Sequence, residues 1–196
     1  MRHLAWIGYL STVGVYGDHG GAEVDEATPP RPVSDRSRAR LAAEQAWSEV
    51  GARGAIPVAL LRLAGIYGPD RNALVSLREG TARRLVKPGQ VFNRIHVADV
   101  ARAIDAAFAR GASGPVNVCD DEPCPPQDVV AFAAELLGLP APPEQSFAAA
   151  RASLSPMALS FYGENKRVRN DRLKRELGVR LKYPTYRDGL RALAAG

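Results

Sequence analysis

The chain has 196 residues, 46% of them hydrophobic, and a formal net charge of +5. This length suffices for one sizeable domain, or for a domain with a small lobe. No apolar run approaches the roughly 20 residues of a membrane-spanning helix, and the first residues lack the long apolar segment of a signal peptide. We therefore expect no membrane partner and a cytoplasmic location.

Composition also argues against two kinds of site. Cys119 and Cys124 are the only cysteines, and without a paired histidine or a second cysteine pair they predict free thiols rather than a disulfide or a metal site. The densest basic run, over residues 166–175, has no interleaved aromatic residues to stack on bases. We predict a solvated helix face and no nucleic-acid partner, although a phosphate-bearing ligand would suit the same charges.

The first part of the chain predicts a parallel crossover unit. Residues 5–11 form an apolar stretch that predicts a buried strand, and the continuous apolar run over 57–63 predicts a strand buried on both faces. Between them, Ser34 or Asp35 can cap a helix that runs to about Ala52. Strand, helix and strand in this order favour a parallel βαβ unit.

Shorter elements follow beyond residue 70. We predict, in chain order, helices over 72–79, 97–110, 125–137, 171–177 and 186–194, and extended segments over 91–95, 115–119 and 166–169. Asn170 is expected to cap the fourth of these helices. The stretch over 146–163 predicts no defined element.

Four motifs occur in a fixed order along the chain. Ser-Thr-x-x-Val-Tyr-Gly stands at 11–17, Arg-x-x-x-x-Tyr-Gly-Pro at 62–69 and Ile-His-Val-x-Asp at 95–99, and a strand–helix signature starts at Lys166. In this order the motifs resemble those of the extended short-chain dehydrogenase/reductase family, which comprises NAD(P)-dependent epimerases, dehydratases and their atypical relatives.

The resemblance implies an α/β fold: the C-terminal part of a Rossmann-type, doubly wound parallel sheet with a small mixed α/β substrate lobe. Residues 1–70 would be the remnant of the NAD(P)-binding domain. Residues 71–196 would be mainly the substrate-binding lobe, with interleaved Rossmann elements. The resemblance further implies NAD or NADP as cofactor and a small-molecule substrate as partner, and it allows a homodimer.

The catalytic helix departs from the family pattern. Family members carry a tyrosine and a lysine four residues apart, a spacing that places both on one helix face beside the nicotinamide. The matching positions here hold Arg36 and Arg40. Arg36 cannot donate a proton near neutral pH, because a guanidinium does not deprotonate in proteins. Arg40 can still hydrogen-bond ribose hydroxyls, as the family lysine does.

Thr12 matches the family's catalytic serine or threonine, and two interpretations of it stand. It orients a substrate oxygen, or it is a β-branched residue that satisfies backbone groups at a strand end. Tyr9 and Tyr16 are the nearest replacement hydroxyls, and we expect Tyr16 to be packed under the following loop. The resulting site prediction is Thr12 and Arg40 as catalytic residues; Ser11, Arg40, Leu63 and Ala64 at the cofactor; and Thr12, Gly65, Asn93 and Arg94 at the substrate.

The region of the third motif bears on the substrate class and on the roles of His96 and Asp99. Nucleotide-sugar enzymes commonly carry an arginine where this chain has Phe92, which argues against a nucleotide-sugar substrate. We expect His96 to be a structural hydrogen-bonding residue rather than a base, and Asp99 to cap or steady the helix that follows.

No Gly-x-x-Gly-x-x-Gly turn between a strand and a helix occurs in the sequence, so the pyrophosphate and adenine site of a dinucleotide is missing from it. We expect either a shortened sequence or a second chain that covers the free edge of the first strand. Three hypotheses on function follow: an atypical NAD(P)-dependent oxidoreductase, a non-catalytic NAD(P)- or metabolite-binding protein, or a truncated fragment without independent activity. Charge alone favours a fourth, a binder of nucleic acid or of an acidic partner.

Overall fold

A computed structural model describes residues 4–195. The strands are β1 (Ile7–Thr12), β2 (Glu23–Val24), β3 (Val58–Leu63), β4 (Gly65–Tyr67), β5 (Arg84–Val86), β6 (Arg94–His96), β7 (Gly114–Val118), β8 (Glu144–Ser146) and β9 (Arg167–Val168). The helices are α1 (Asp35–Gly54), α2 (Ala73–Arg78), α3 (Val97–Ala109), α4 (Pro126–Leu137), α5 (Phe147–Ala150), α6 (Pro156–Tyr162), α7 (Asp171–Arg175) and α8 (Tyr186–Ala195). No helix in this range is long and apolar enough to cross a membrane.

The main sheet is parallel and has the order β1–β3–β7. Every residue of β3 is buried, as its continuous apolar sequence predicts for a central parallel strand. The register sets Thr12 beside Leu63 and Leu63 beside Val118, so the carboxyl ends of the three strands lie level. The predicted α/β fold with a parallel crossover unit is confirmed.

Strand β1 is less buried than its sequence predicts. Ile7 and Ser11 are buried, but Leu10 is 43% exposed. The reason is its place in the sheet: within residues 4–195 it pairs only with β3 and forms the edge. An edge strand has one neighbour and therefore loses less of its surface to packing.

Helix α1 begins as predicted, with the Ser34 side chain accepting a hydrogen bond from the backbone N–H of Ser37. Helix α7 does not follow its prediction, because Asn170 makes no side-chain cap. Its amide instead donates to the carbonyl of Cys119 at 2.9 Å and to Asp121 Oδ1 at 2.7 Å. Asn170 therefore joins α7 to the loop after β7 rather than capping the helix.

A second group of elements covers the carboxyl end of the sheet. Helices α2, α4 and α8 share a core that includes Leu74, Val129, Tyr186 and Leu190. Strand β4 pairs with β6, and β5 pairs with β8, beside these helices. The division at residue 70 into a cofactor-binding part and a substrate lobe remains a prediction.

Candidate active site

A cleft of about 810 Å³ opens where β1 and β3 end, between the main sheet and the group of helices α2, α4 and α8. In open parallel sheets, ligands bind at the carboxyl ends of the strands. All the site residues that the sequence predicts line this cleft, together with Arg36: Ser11, Thr12, Arg40, Leu63, Ala64, Gly65, Asn93 and Arg94. The fold thus brings together residues from four separate segments of the sequence.

The two hydroxyls at the end of β1 have different surroundings. Ser11 is buried and donates to Glu44 Oε1 at 2.5 Å, so its hydroxyl is turned to the protein interior. Thr12 Oγ1 accepts from the backbone N–H of Gly14 at 3.1 Å and caps the short 3₁₀ helix that follows. The Thr12 hydroxyl hydrogen donates to no group within residues 4–195, so it is available to a ligand. Both interpretations of Thr12 stay compatible with this geometry.

Tyr16 takes no part in the cleft. It is fully buried, and its hydroxyl donates to Asn117 Oδ1 at 2.7 Å. The guanidinium of Arg62 lies over its ring at 4.8 Å. Burial raises the pKa of the Tyr16 hydroxyl, which keeps it protonated. Tyr16 is packed under the loop, as expected from the sequence.

Arg36 and Arg40 both line the cleft from α1. Arg40 Nη1 donates to the carbonyl of Leu10 at 2.9 Å and to the hydroxyl of Tyr9 at 3.3 Å. Arg36 lies over the ring of Phe161 at 5.4 Å. The two side chains therefore stand where one helix face meets the cleft, and neither supplies a hydroxyl.

The floor of the cleft is the chain that leaves β3. Ala64 donates its backbone N–H to the carbonyl of Val118, and Gly65 donates to the carbonyl of Asn93 at 3.1 Å. The Asn93 side chain is engaged on both sides, because Nδ2 donates to Lys166 O and Oδ1 accepts from Val168 N–H. Asn93 thus fastens β9 beside β6, and its contact with substrate stays a prediction.

A model of the NAD dependent epimerase/dehydratase family matches residues 5–119. The chain belongs to this family. The resemblance on which the sequence prediction rests is confirmed, and with it the Rossmann-type origin of the sheet.

Similar proteins agree with this assignment. A 3-diazoavenalumate denitrifying reductase from Streptomyces sp is 32% identical in an alignment 142 residues long, which covers 67% of this chain and 45% of the relative. A functionally unknown conserved protein from Silicibacter pomeroyi DSS is 60% identical with a TM-score of 0.90, over 97% of this chain and 66% of that one. The dTDP-glucose 4,6-dehydratase of Bacillus anthracis str. Ames, solved with NAD, shares the fold at 21% identity and a TM-score of 0.77, over 97% and 60%. The chain thus spans less than half of the curated relative and about two thirds or less of the solved ones.

Two cleft residues of this family member were not found by sequence reasoning. Lys166 is 5% exposed, and its Nζ donates to the carbonyl of Gly17 at 2.7 Å and to Glu164 Oε2 at 2.6 Å. Tyr186 is 1% exposed and lines the opposite wall. Lys166 stands in a basic run whose other members are exposed or half-buried, so charge pattern alone could not single it out.

The cleft carries an excess of positive charge. Arg36, Arg40, Arg71, Arg94 and Lys166 line it, and Glu164, which pairs with Lys166, is its only acidic lining residue within the described range. A lining of this kind favours a ligand with negative charge.

His96 and Asp99 lie outside the cleft. His96 Nδ1 accepts from the backbone N–H of Ala98 at 3.1 Å and caps α3, so its expected structural role is confirmed. Asp99 does not cap the helix. It accepts from the backbone N–H groups of Lys182 and Tyr183, at 2.6 and 2.9 Å, and so steadies α3 by tying it to the segment before α8.

The residues that line the cleft suit the nicotinamide half of a dinucleotide. Small residues at Ala64 and Gly65 leave room beside the β3 end, and the basic side chains suit a phosphate. A glycine-rich turn between a strand and a helix N-terminus, which would hold the pyrophosphate, does not occur among these residues.

Proposed function

We propose that this chain forms the nicotinamide-facing and substrate-facing walls of an NAD(P)-dependent oxidoreductase cleft. One observation carries the proposal: Thr12, Arg40 and the Leu63–Ala64 turn line a single basic cleft at the carboxyl edge of a parallel sheet. Family membership supports the same cofactor. NAD(P), when bound, accepts or supplies a hydride.

Each group of residues in the cleft has its own role in binding. Leu63 and Ala64 offer an apolar surface to a planar ring. Arg40, whose Nη1 alone bonds to Leu10 and Tyr9, offers its other donors to ribose and phosphate oxygens. The free hydroxyl hydrogen of Thr12 orients a substrate oxygen. Arg36 keeps its charge and transfers no proton.

A second candidate is a binding protein that performs no turnover. The observation that favours it is the pair of arginines on α1, because Arg36 and Arg40 both line the cleft from this helix. The wall that carries a tyrosine and a lysine in the family thus supplies two permanent cations and no proton donor.

In the first experiment, the purified chain is titrated with NADH, NADPH and nicotinamide mononucleotide. Saturation-transfer NMR or calorimetry measures the binding. Binding of the mononucleotide is expected, because the cleft fits the nicotinamide half. Arg40→Ala should weaken it about three- to tenfold by removing a charged donor. Arg38→Ala is the matched control, since Arg38 lies on the same helix, pairs with Asp35 and does not line the cleft.

Two results would decide against the proposal. Failure of all three nucleotides to bind overturns the cofactor assignment. Binding without oxidation of NADH or NADPH by any of a panel of ketones, aldehydes and quinones favours the non-catalytic candidate. A homodimer stays a prediction, which light scattering of the eluted protein would test.

A further inference from the structure

The substrate-side end of the cleft holds a tyrosine hydroxyl that the fold does not use. Tyr186 is 1% exposed, and its hydroxyl has no hydrogen-bond partner within residues 4–195. Its ring is held in place by Arg187, whose guanidinium lies 4.5 Å from the ring centre and pairs with Glu122. A buried hydroxyl without a partner is destabilising, so a rigidly held one on a cleft wall points to a ligand.

Arg94 offers a second unused donor set at the same place. Its Nη1 donates to the carbonyl of Phe92 at 3.1 Å and to Cys124 Sγ at 3.0 Å. Its Nε and Nη2 donate to no group among the described residues. Cys124 and Tyr186 pack in one cluster, and both Arg94 and Tyr186 line the cleft. Arg94 thus contacts Cys124, and both lie close enough to Tyr186 to act on the pKa of its hydroxyl.

The charge states of Arg94 and Tyr186 suit a ligand that accepts hydrogen bonds. Burial raises the pKa of Tyr186 to about 12, with Cys124 and Asp128 adding to the shift and Arg94 opposing it. The hydroxyl is thus protonated near neutral pH and can donate. A guanidinium can only donate, and a protonated phenol can donate as well as accept, so the two together can satisfy an anionic oxygen group.

Apolar side chains complete the walls around these two donors. Val129 of α4 and Leu190 of α8 are buried and line the cleft beside Tyr186, and Ala73 of α2 faces the same space. A ligand that fills this end therefore needs an apolar body behind its charged tip.

We propose that Arg94 and Tyr186 form a substrate subsite for an anionic oxygen group, a carboxylate or a phosphate, carried on a small apolar body. The subsite rests on the proposed function, since it names the substrate class of the same cleft. Arg94 supplies the charge, and Tyr186 supplies a fixed donor that selects the orientation of the group.

The test compares three probes that share a benzene ring: benzoate, phenyl phosphate and benzyl alcohol. Titration of the full chain, followed by NMR, should show that at least one anionic probe binds more than tenfold tighter than the alcohol. The tighter anion identifies the carboxylate or the phosphate as the preferred group. Tyr186→Phe removes only the hydroxyl and should lower the affinity for that anion about tenfold.

Tyr162→Phe is the matched control, because Tyr162 is buried in a different cluster and does not line the cleft. It should leave the affinity for the anion unchanged. Arg94→Lys keeps the charge but removes the planar donor set, and should also weaken the anion. The circular dichroism spectrum of each variant shows whether it is folded.

Three results would overturn the subsite: no anionic probe binds, the alcohol binds as tightly as the anions, or Tyr186→Phe binds the anion as well as the wild type does. These outcomes are distinct from failure of the proposed function. Loss of nicotinamide binding with a Tyr186-dependent anion site would overturn only the cofactor assignment, because the probes are titrated without cofactor.

Discussion

Glu44 of α1 and Arg62 of β3 form a buried, two-pronged ion pair behind the cleft. Arg62 Nε lies 3.1 Å from Glu44 Oε1, and Nη2 lies 2.8 Å from Oε2. The residues are 2% and 4% exposed, and the Ser11 hydroxyl donates to the same carboxylate. The pair thus ties α1 to two neighbouring strands, and this fixes the helix face that presents Arg36 and Arg40 to the cleft.

Removal of either charge should destabilise the fold. Glu44→Gln leaves a buried guanidinium without a counter-ion, and we expect a loss of about 3–5 kcal/mol in the free energy of unfolding. Urea denaturation measures it. The double variant Glu44→Gln/Arg62→Met should lose less than the sum of the single changes. An additive result would mean that the two side chains do not depend on each other.

The sequence predicts both elements of this pair but not the pair. The apolar run of β3 and the Ser34 cap of α1 are local signals, and the structure confirms both elements. Arg62 appears in the sequence as part of a motif, yet nothing local indicates that it is buried against a carboxylate in the middle of a helix. A contact between distant residues depends on register and helix rotation, which a local pattern does not encode.

The same limit applies to the cleft. Its sheet side could be predicted, because Thr12 and Leu63 stand at the carboxyl ends of recognisable strands and Ala64 follows directly. Lys166 and Tyr186 reach the cleft from the last part of the chain through packing alone. The pairing of β5 with β8 was also missed, since Glu144–Ser146 is short, polar and exposed, and period-two patterning needs a longer alternation.

We predict that loss of the Asp99 carboxylate loosens the segment before α8. Asp99→Ala removes the acceptor for the backbone N–H groups of Lys182 and Tyr183, and should lower the free energy of unfolding by about 2–4 kcal/mol. Hydrogen exchange should become faster at these two amides and in α8. Asp105→Ala, on the exposed side of the same helix, should change neither quantity. Slow exchange at Lys182 in the Asp99 variant would contradict the assigned role.

Gly189 predicts a steric effect between α8 and β4. A Cβ at this position would lie 2.7 and 2.8 Å from two ring carbons of Tyr67, which is buried. Gly189→Ala should therefore destabilise the protein by about 1–3 kcal/mol, although alanine is the better helix former. Thermal unfolding measures the change. Tyr67→Leu in the same chain should recover part of it, whereas a Gly189→Ala variant as stable as wild type would show that the two elements separate freely.

The buried carboxyl of Asp120 should make the stability of the protein depend on pH. It is 2% exposed, its Oδ2 has no hydrogen-bond partner within residues 4–195, and burial raises its pKa to about 8, with Arg94 opposing the shift and Asp121 and Asp99 adding to it. The unfolded carboxyl titrates near its ordinary pKa of about 3.9. Between these values the folded state binds more protons than the unfolded state. Stability should therefore fall as pH rises from about 4 to about 8 and then level off.

Asp120→Asn should remove this fall. The amide oxygen can still accept from the backbone N–H of Glu122, as Asp120 Oδ1 does, and no charge is buried at high pH. We expect the stability gain over wild type to grow by about 3–5 kcal/mol between pH 4.5 and pH 8.5. Urea denaturation at the two pH values measures it, with Asp105→Asn as the exposed control. His96, whose pKa burial lowers, acts below about pH 6.5 with the opposite sign, so it cannot produce the fall at higher pH. Parallel profiles for wild type and Asp120→Asn would mean that the carboxyl is ionised in the folded protein throughout.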